Sequence, residues 1–251
     1  MRAFRLGGPW ILALGALLAA CAKRGEPQAL VLGTNAEFPP FETLGGKDGA
    51  EVVGFDVEVA KAIAAKAGRP LAIRNMPFDR LLPALAAGEL DFVLAGLTIT
   101  PERAQAVDFS EPYYKATQAV LMLAGGAVPE KKDELKGMAI GVQQGTTGEK
   151  AAADLVGREK VCPFSSVSAV AAELLKGAVD AVIVDEQPAI QLVRKEPRLV
   201  LLRLGFEDEF YGVAVRPGDA ALLATVNDAL AEIQIDGRYD LFLDQWLLQA
   251  D

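Results

Sequence analysis

Hydrophobic and polar positions along this chain follow two alternating rhythms. Short unbroken apolar runs such as Ala29-Leu30-Val31-Leu32-Gly33 read as buried strands, as do Leu71-Ala72-Ile73 and Asp91-Phe92-Val93-Leu94-Ala95. Between them the apolar residues fall at helical spacing. Phe55, Val59 and Ile63 recur through Asp56 to Ala67, with acids in the first turn and Gly68 as a stop, and Leu81, Leu82 and Leu85 mark a second helix. Strands alternating with helices predict α/β architecture, with mainly parallel sheets covered by helices.

The second half repeats the first in one place. Leu85-x-x-Gly88-x-x-Asp91-x-Val93 returns as Leu174-x-x-Gly177-x-x-Asp180-x-Val182, each copy reading as a helix end, a glycine stop and a strand. Junctions of this kind also converge by chance, but the echo favours two similar lobes. The expected division places lobe 1 in 29–116 plus 211–251 and lobe 2 in 119–207. The chain crosses near Tyr114 to Gln118, returns near Glu209-Phe210-Tyr211, and packs a helix over 220–235 back on the first lobe.

The N-terminus departs from this pattern. Arg2 and Arg5 precede a stretch of 17 uncharged residues, Leu6 to Ala22, which fits a secretory signal over 1–20. A membrane-spanning helix is the rival reading, but the stretch is short and diluted by Gly and Pro. Leu18-Ala19-Ala20-Cys21 resembles the lipobox of bacterial lipoproteins. That resemblance implies acylation of Cys21 and a lipidated tether over 21–28, against the alternative of an incidental cysteine. The remaining cysteine, Cys162, then has no disulfide partner and is expected as a small buried side chain. A formal charge of −9 without basic clusters argues against nucleic-acid binding, and the absence of histidine removes the commonest general base and metal ligand.

Three local patterns carry candidate chemistry. In Thr98 to Arg103, Thr100 suits an N-cap, Pro101 the first helical position and Glu102 the first turn. Arg103 does not suit that turn: a cation there opposes the helix dipole by up to ~1 kcal/mol unless something offsets it. A carboxylate held by the guanidinium and free amides would do so; pairing with Glu102 or solvent is the plainer reading. Next, Ala139 to Val142 reads as a strand, Gln143 to Gly145 as a turn and Thr146-Thr147-Gly148-Glu149 as a helix start. That start is a second anion-binding candidate and equally a plain capping box. Finally, Ala181 to Asp185 is a buried strand that leaves the Asp185 carboxylate at a sheet edge, where α/β folds place ligands. An acid at a strand end is otherwise commonly solvated.

One longer motif joins these pieces. Gly54-Phe55-Asp56-Val57-Glu58-Val59-Ala60-Lys61-Ala62-Ile63-Ala64 closely resembles the signature of bacterial extracellular solute-binding proteins of the polar amino acid family, family 3. Gly33 to Phe41, Ala95 to Arg103 and Gly141 to Thr147 support it, so the resemblance runs from about Leu30 to Trp246. It implies a two-lobed periplasmic-binding-protein fold with a two-crossing hinge and capture of a free polar L-amino acid by closure, with basic side chains among the candidates. Delivery would be to the permease and ATPase of an ABC importer, by a monomer lipid-anchored in the cell envelope, periplasmic or extracytoplasmic, without cofactor or metal. By the same resemblance Arg103 clamps the ligand α-carboxylate, met from the other lobe by Thr146 and Thr147. Asp185 binds the α-ammonium with the Thr98 hydroxyl and the Gly96 carbonyl. Phe38, Asn35 and Gln143 line the side-chain pocket, although Phe38 also suits core packing with Phe41. Relatives that bind lysine, arginine and ornithine carry Asp where this chain has Asn35, so the basic side chain stays open, and Glu37 is a further candidate for the charge. A cyclohexadienyl or arogenate dehydratase-like enzyme on the same scaffold, with Glu37 or Asp185 as acid, is the alternative of a different class.

Overall fold

The computed structural model describes residues 27–248; the proposed signal segment and Cys21 lie outside them. The chain opens with β1 (Leu30–Thr34) and a small antiparallel sheet of β2 (Glu37–Phe38), β3 (Glu42–Gly45) and β4 (Glu51–Val53). Helix α1 (Phe55–Ala67), β5 (Leu71–Asn75), α2 (Phe78–Ala86), β6 (Phe92–Val93) and β7 (Asp108–Phe109) follow. The long β8 (Tyr114–Leu123) leads away to β9 (Ile140–Gln143), α3 (Thr147–Val156), β10 (Val161–Phe164), α4 (Val167–Leu175), β11 (Ala181–Asp185), α5 (Glu186–Lys195) and β12 (Leu199–Leu202). β13 (Asp208–Tyr211) leads back to β14 (Ala214–Val215), α6 (Ala220–Ile235) and α7 (Arg238–Leu243).

These elements form two lobes. The first sheet has the order β5-β1-β6-β14-β7 and the second β10-β9-β11-β8-β12, with β13 paired to β8. Both sheets are mixed. Pairs joined through helices, such as β1 with β5 and β9 with β10, run parallel, whereas β8, β12, β13 and β14 pair antiparallel. A strand that travels between lobes enters its sheet without a helical crossover, so nothing forces it parallel.

The sequence echo has a structural counterpart down to single hydrogen bonds. Gly88 and Gly177 take φ of 77° and 72°, and their amides bond to Leu85 and Leu174 carbonyls at 3.0 and 2.9 Å. Asp91 then accepts from the Val31 amide at 2.9 Å and Asp180 from the Ala139 amide at 2.8 Å. Each lobe thus ties the start of its inner strand with the same aspartate.

The core of the first lobe is where α1 meets α6, with Phe55, Val59 and Ile63 fully buried against a face carrying Val226, Leu230 and Ile233. Each such side chain contributes about 1.5–3 kcal/mol on burial. The crossings are cemented by rings. Phe41 stands 4.9 Å from Tyr114 and 5.2 Å from Tyr211, whose rings are 5.5 Å apart. Cys162 is half-buried rather than buried, because its strand β10 lies at the sheet edge. Among the described residues, no helix is long and apolar enough to cross a membrane.

Candidate functional site

Phe38, Gly96, Thr98, Arg103, Gln143, Thr146, Thr147 and Asp185 line a single crevice between the lobes, together with Phe78, and its residual volume is about 10 Å³. The first lobe supplies its wall from the segment after β6. Gly96 has φ 53°, a conformation in which a side chain is strained, and a Cβ there would fall 2.5 Å from Phe38 Cε1. The ring of Phe38 therefore lies directly on the Gly96 backbone. Phe38 also stacks on Phe41, at 5.9 Å between centroids, so its crevice and core roles coexist.

Behind Gly96 is a buried acid pair. The Gly96 amide donates to Asp56 Oδ2 at 2.9 Å, and the Tyr113 hydroxyl donates to the same carboxylate. Asp56, expected only as a helix-start charge, is fully buried, and burial raises its pKa to about 6 against these donors. Glu42 beside it is pushed well above the usual carboxylate range, first by burial and then by the Asp56 charge. Neither of its carboxyl oxygens has a hydrogen-bond partner among the described residues, so burial weighs on it without a donor to offset it.

The helix expected after Thr100 is a single 3₁₀ turn, Arg103–Gln105. Thr100 accepts from the Arg103 amide at 3.2 Å, but the residue preceding the turn is Glu102, not Thr100, and β7 follows too soon for a longer helix. With one turn there is little dipole for Arg103 to oppose, so that argument for its role falls away. Geometry supplies a better one. The guanidinium donates to the Thr98 carbonyl at 2.7 Å and, across the crevice, to the Gly145 carbonyl at 3.0 Å, with its Cζ 5.4 Å from the Phe78 centroid. Burial lowers its pKa, while the charges of Glu209 and Asp185 act to raise it.

In the second lobe Thr146 caps α3. Its hydroxyl donates to the Gln143 carbonyl at 2.7 Å and accepts from the Glu149 amide at 3.2 Å, while Glu149 accepts from the Gly145 amide. The capping box therefore consumes the Thr146 side chain, and only first-turn amides of α3 remain to meet an anion. Thr147 donates to Glu209 Oε2 at 2.8 Å.

Asp185 ends β11 and is 6% exposed. Although it precedes α5, its carboxylate makes no capping bond. It accepts instead from Gln118 Nε2 at 2.8 Å and from the Tyr211 hydroxyl. Its pKa is raised to about 7, chiefly by burial and then by Glu209, against the lowering effect of Tyr211, Gln118 and Arg103. Asn35 is buried and is not itself among the lining residues, but it bonds to Gln143, which is. It donates to the Met76 carbonyl at 3.0 Å and accepts from Gln143 Nε2 at 2.9 Å, which joins the lobes. Glu37 sits at the rim, accepting from Ser168 of the other lobe at 2.7 Å.

Sequence reasoning missed four residues at this crevice: Phe78, Gln118, Glu209 and Tyr211. Phe78 opens α2 immediately after a strand, a position at the crevice edge in every βα unit, and that signal was available. The other three come from the crossing strands, which carry no motif.

Comparison with known proteins is consistent along the whole described chain. The family model for bacterial extracellular solute-binding proteins, family 3, matches residues 30–249. A probable histidine-binding protein of Neisseria gonorrhoeae is 37% identical over 92% of this chain and 92% of its own. The ABC transporter arginine-binding protein 1 of Escherichia coli K12 is 34% identical over 95% and 99%. A crystal structure of the arginine-, lysine-, histidine-binding protein ArtJ from Geobacillus stearothermophilus superposes with a TM-score of 0.83 at 36% identity, covering 88% of this chain and 96% of that one. All three are named as binding proteins and none as an enzyme, which leaves the dehydratase alternative without support. This chain belongs to the bacterial extracellular solute-binding proteins, family 3.

Proposed function

We propose that this protein captures a free polar amino acid between its lobes for an ABC importer. The observation that carries the reading is the placement of Arg103 from one lobe and Asp185 from the other in one crevice. A zwitterion needs opposite charges at its two ends, and here they come from separate bodies. Arg103 and the first-turn amides of α3 at Thr146 and Thr147 take the α-carboxylate. Asp185, the Thr98 hydroxyl and the Gly96 carbonyl take the α-ammonium, and Phe38, Asn35 and Gln143 line the side-chain end. Such a ligand favours the closed state because only that state satisfies both ends, so it shifts the open–closed equilibrium.

Basic amino acids are the first candidates. The named relatives include arginine-, lysine- and histidine-binding proteins, and the charges of both Asp185 and Glu209 act on Arg103. Lobes over 29–116 plus 211–251 and over 119–207 move as two bodies in this reading. The partners are a permease and its ATPase, and Cys21 holds the monomer to a membrane by acyl chains once residues 1–20 are removed. Titration calorimetry of the purified soluble domain with the twenty amino acids tests capture: micromolar or tighter binding of a polar amino acid is expected, and no binding by any of them refutes it. Mass spectrometry of the mature N-terminus tests the anchor, since an unmodified Cys21 removes it.

A further inference from the structure

Glu209 lies on β13, one of the two crossing strands, and its carboxylate stands between the lobes. Oε2 accepts from the Thr98 hydroxyl of the first lobe at 2.6 Å and from the Thr147 hydroxyl of the second at 2.8 Å. Oε1 accepts from Gln118 Nε2 at 3.2 Å, and the same Nε2 serves Asp185 at 2.8 Å. Three donors from three parts of the chain thus converge on one side chain, and a single amide ties it to Asp185. Neither the family signature nor the zwitterion argument calls for such a residue.

A hydroxyl has one hydrogen and two lone pairs. Once Thr98 and Thr147 have given their hydrogens to Glu209, each can only accept from whatever else approaches. We infer that Glu209 is a positioning residue that converts these two hydroxyls into pure acceptors and so, with Asp185, builds a wall selective for a primary ammonium group. The inference rests on the reading of the ligand as an amino acid and adds what holds its ammonium end. It also reassigns Thr147, whose hydroxyl serves the ammonium while its turn of α3 serves the carboxylate through backbone amides. A competing role exists for the same geometry: Glu209 could imitate a ligand carboxylate and compete for the hydroxyls. The two roles predict opposite signs.

The test compares wild type, Glu209→Ala and Glu209→Gln by calorimetry, each against L-arginine and L-glutamine and against their counterparts lacking the α-amino group. Thermal melts confirm that each variant is folded. In Glu209→Ala the hydroxyls are free to rotate and donate. Amino acid affinity is expected to fall about tenfold, the scale of one charge-assisted hydrogen-bond arrangement, with the amino-free counterparts changed less than about twofold. Glu209→Gln still accepts from both hydroxyls and recovers part of the loss. Equal losses for both ligand classes, no recovery in Glu209→Gln, or tighter amino acid binding in Glu209→Ala each overturns the inference, the last in favour of competition. Wild-type protein that binds neither amino acid in this comparison, nor any in the wider panel, removes the functional reading itself. That outcome is distinct from a uniform loss confined to the variants.

Discussion

Arg103 reaches across the crevice and donates to the Gly145 carbonyl at 3.0 Å, so the same guanidinium that lines the crevice also joins the lobes. A carboxylate placed against Arg103 shares a group already engaged with the opposite lobe. In the proposed function, capture and closure are therefore parts of one contact network, through which a small ligand would bias the open–closed equilibrium.

Arg103→Ala is expected to weaken amino acid binding by at least about 100-fold, since a buried charge-assisted pair is worth about 3 kcal/mol. The fold should survive, because the guanidinium bonds only to two carbonyls at the crevice. Arg103→Lys should recover little, lacking the planar fork. Calorimetry together with a thermal melt checks both statements.

The proposed ammonium role of Asp185 predicts that capture depends on pH. Its carboxyl titrates at about 7 in the free protein, and only the ionised form attracts an ammonium. Affinity should thus fall about tenfold between pH 8 and pH 6 as the group takes up a proton that the ligand must then expel. Asp185→Asn should be weaker at pH 8 and nearly flat across that range. A wild-type profile as flat as the variant's would place the ammonium elsewhere.

The same raised pKa has the opposite consequence for stability without ligand. An acid raised from 3.8 to about 7 binds its proton more tightly when folded. Its contribution is present in full below pH ~4 and is lost as pH rises toward 7. Asp185→Asn escapes that loss, so its advantage in unfolding free energy over wild type should widen by about 3 kcal/mol between pH 5 and pH 8. Asp56 titrates in both proteins and cancels. Urea unfolding at the two pH values measures the gap.

Gly96→Ala tests the crevice wall. The added methyl would fall 2.5 Å from Phe38 Cε1 and 2.9 Å from Cδ1, on a backbone with positive φ. Strain and overpacking together should cost about 2–4 kcal/mol, and the displaced ring should weaken binding even where the variant folds. Urea unfolding and calorimetry read the two effects separately.

Much of the architecture was legible because it is repetitive. Phe55, Val59 and Ile63 could only be one helix face, and the Leu85-to-Val93 and Leu174-to-Val182 echo became two matching aspartate-tied junctions. Residues of the crevice were legible where a motif carried them: Phe38, Gly96, Thr98, Arg103, Gln143, Thr147 and Asp185 do line it. Reasoning failed where one residue served two masters. Asp56 looked like a helix-start acid, and only its burial and its bonds from the Gly96 amide and the Tyr113 hydroxyl reveal a support for the wall. Thr146, read equally as an anion site and as a capping box, lines the crevice while its hydroxyl caps α3. Gln118, Glu209 and Tyr211 carry no local signal, because their meeting depends on two strands distant in sequence that run side by side between the lobes.

That shared passage bears on how such a protein could be re-engineered. Gln118 belongs to the outgoing strand, Glu209 and Tyr211 to the returning one, and all three hold Asp185 or its neighbours. A chimera that transplants the second lobe from a relative while keeping the native connecting strands would set the imported Asp185 counterpart against Gln118, Glu209 and Tyr211 instead of the partners it evolved with. Grafts that carry both strands with the lobe should retain recognition of the amino terminus of the cargo, and grafts cut at the lobe margin should lose it.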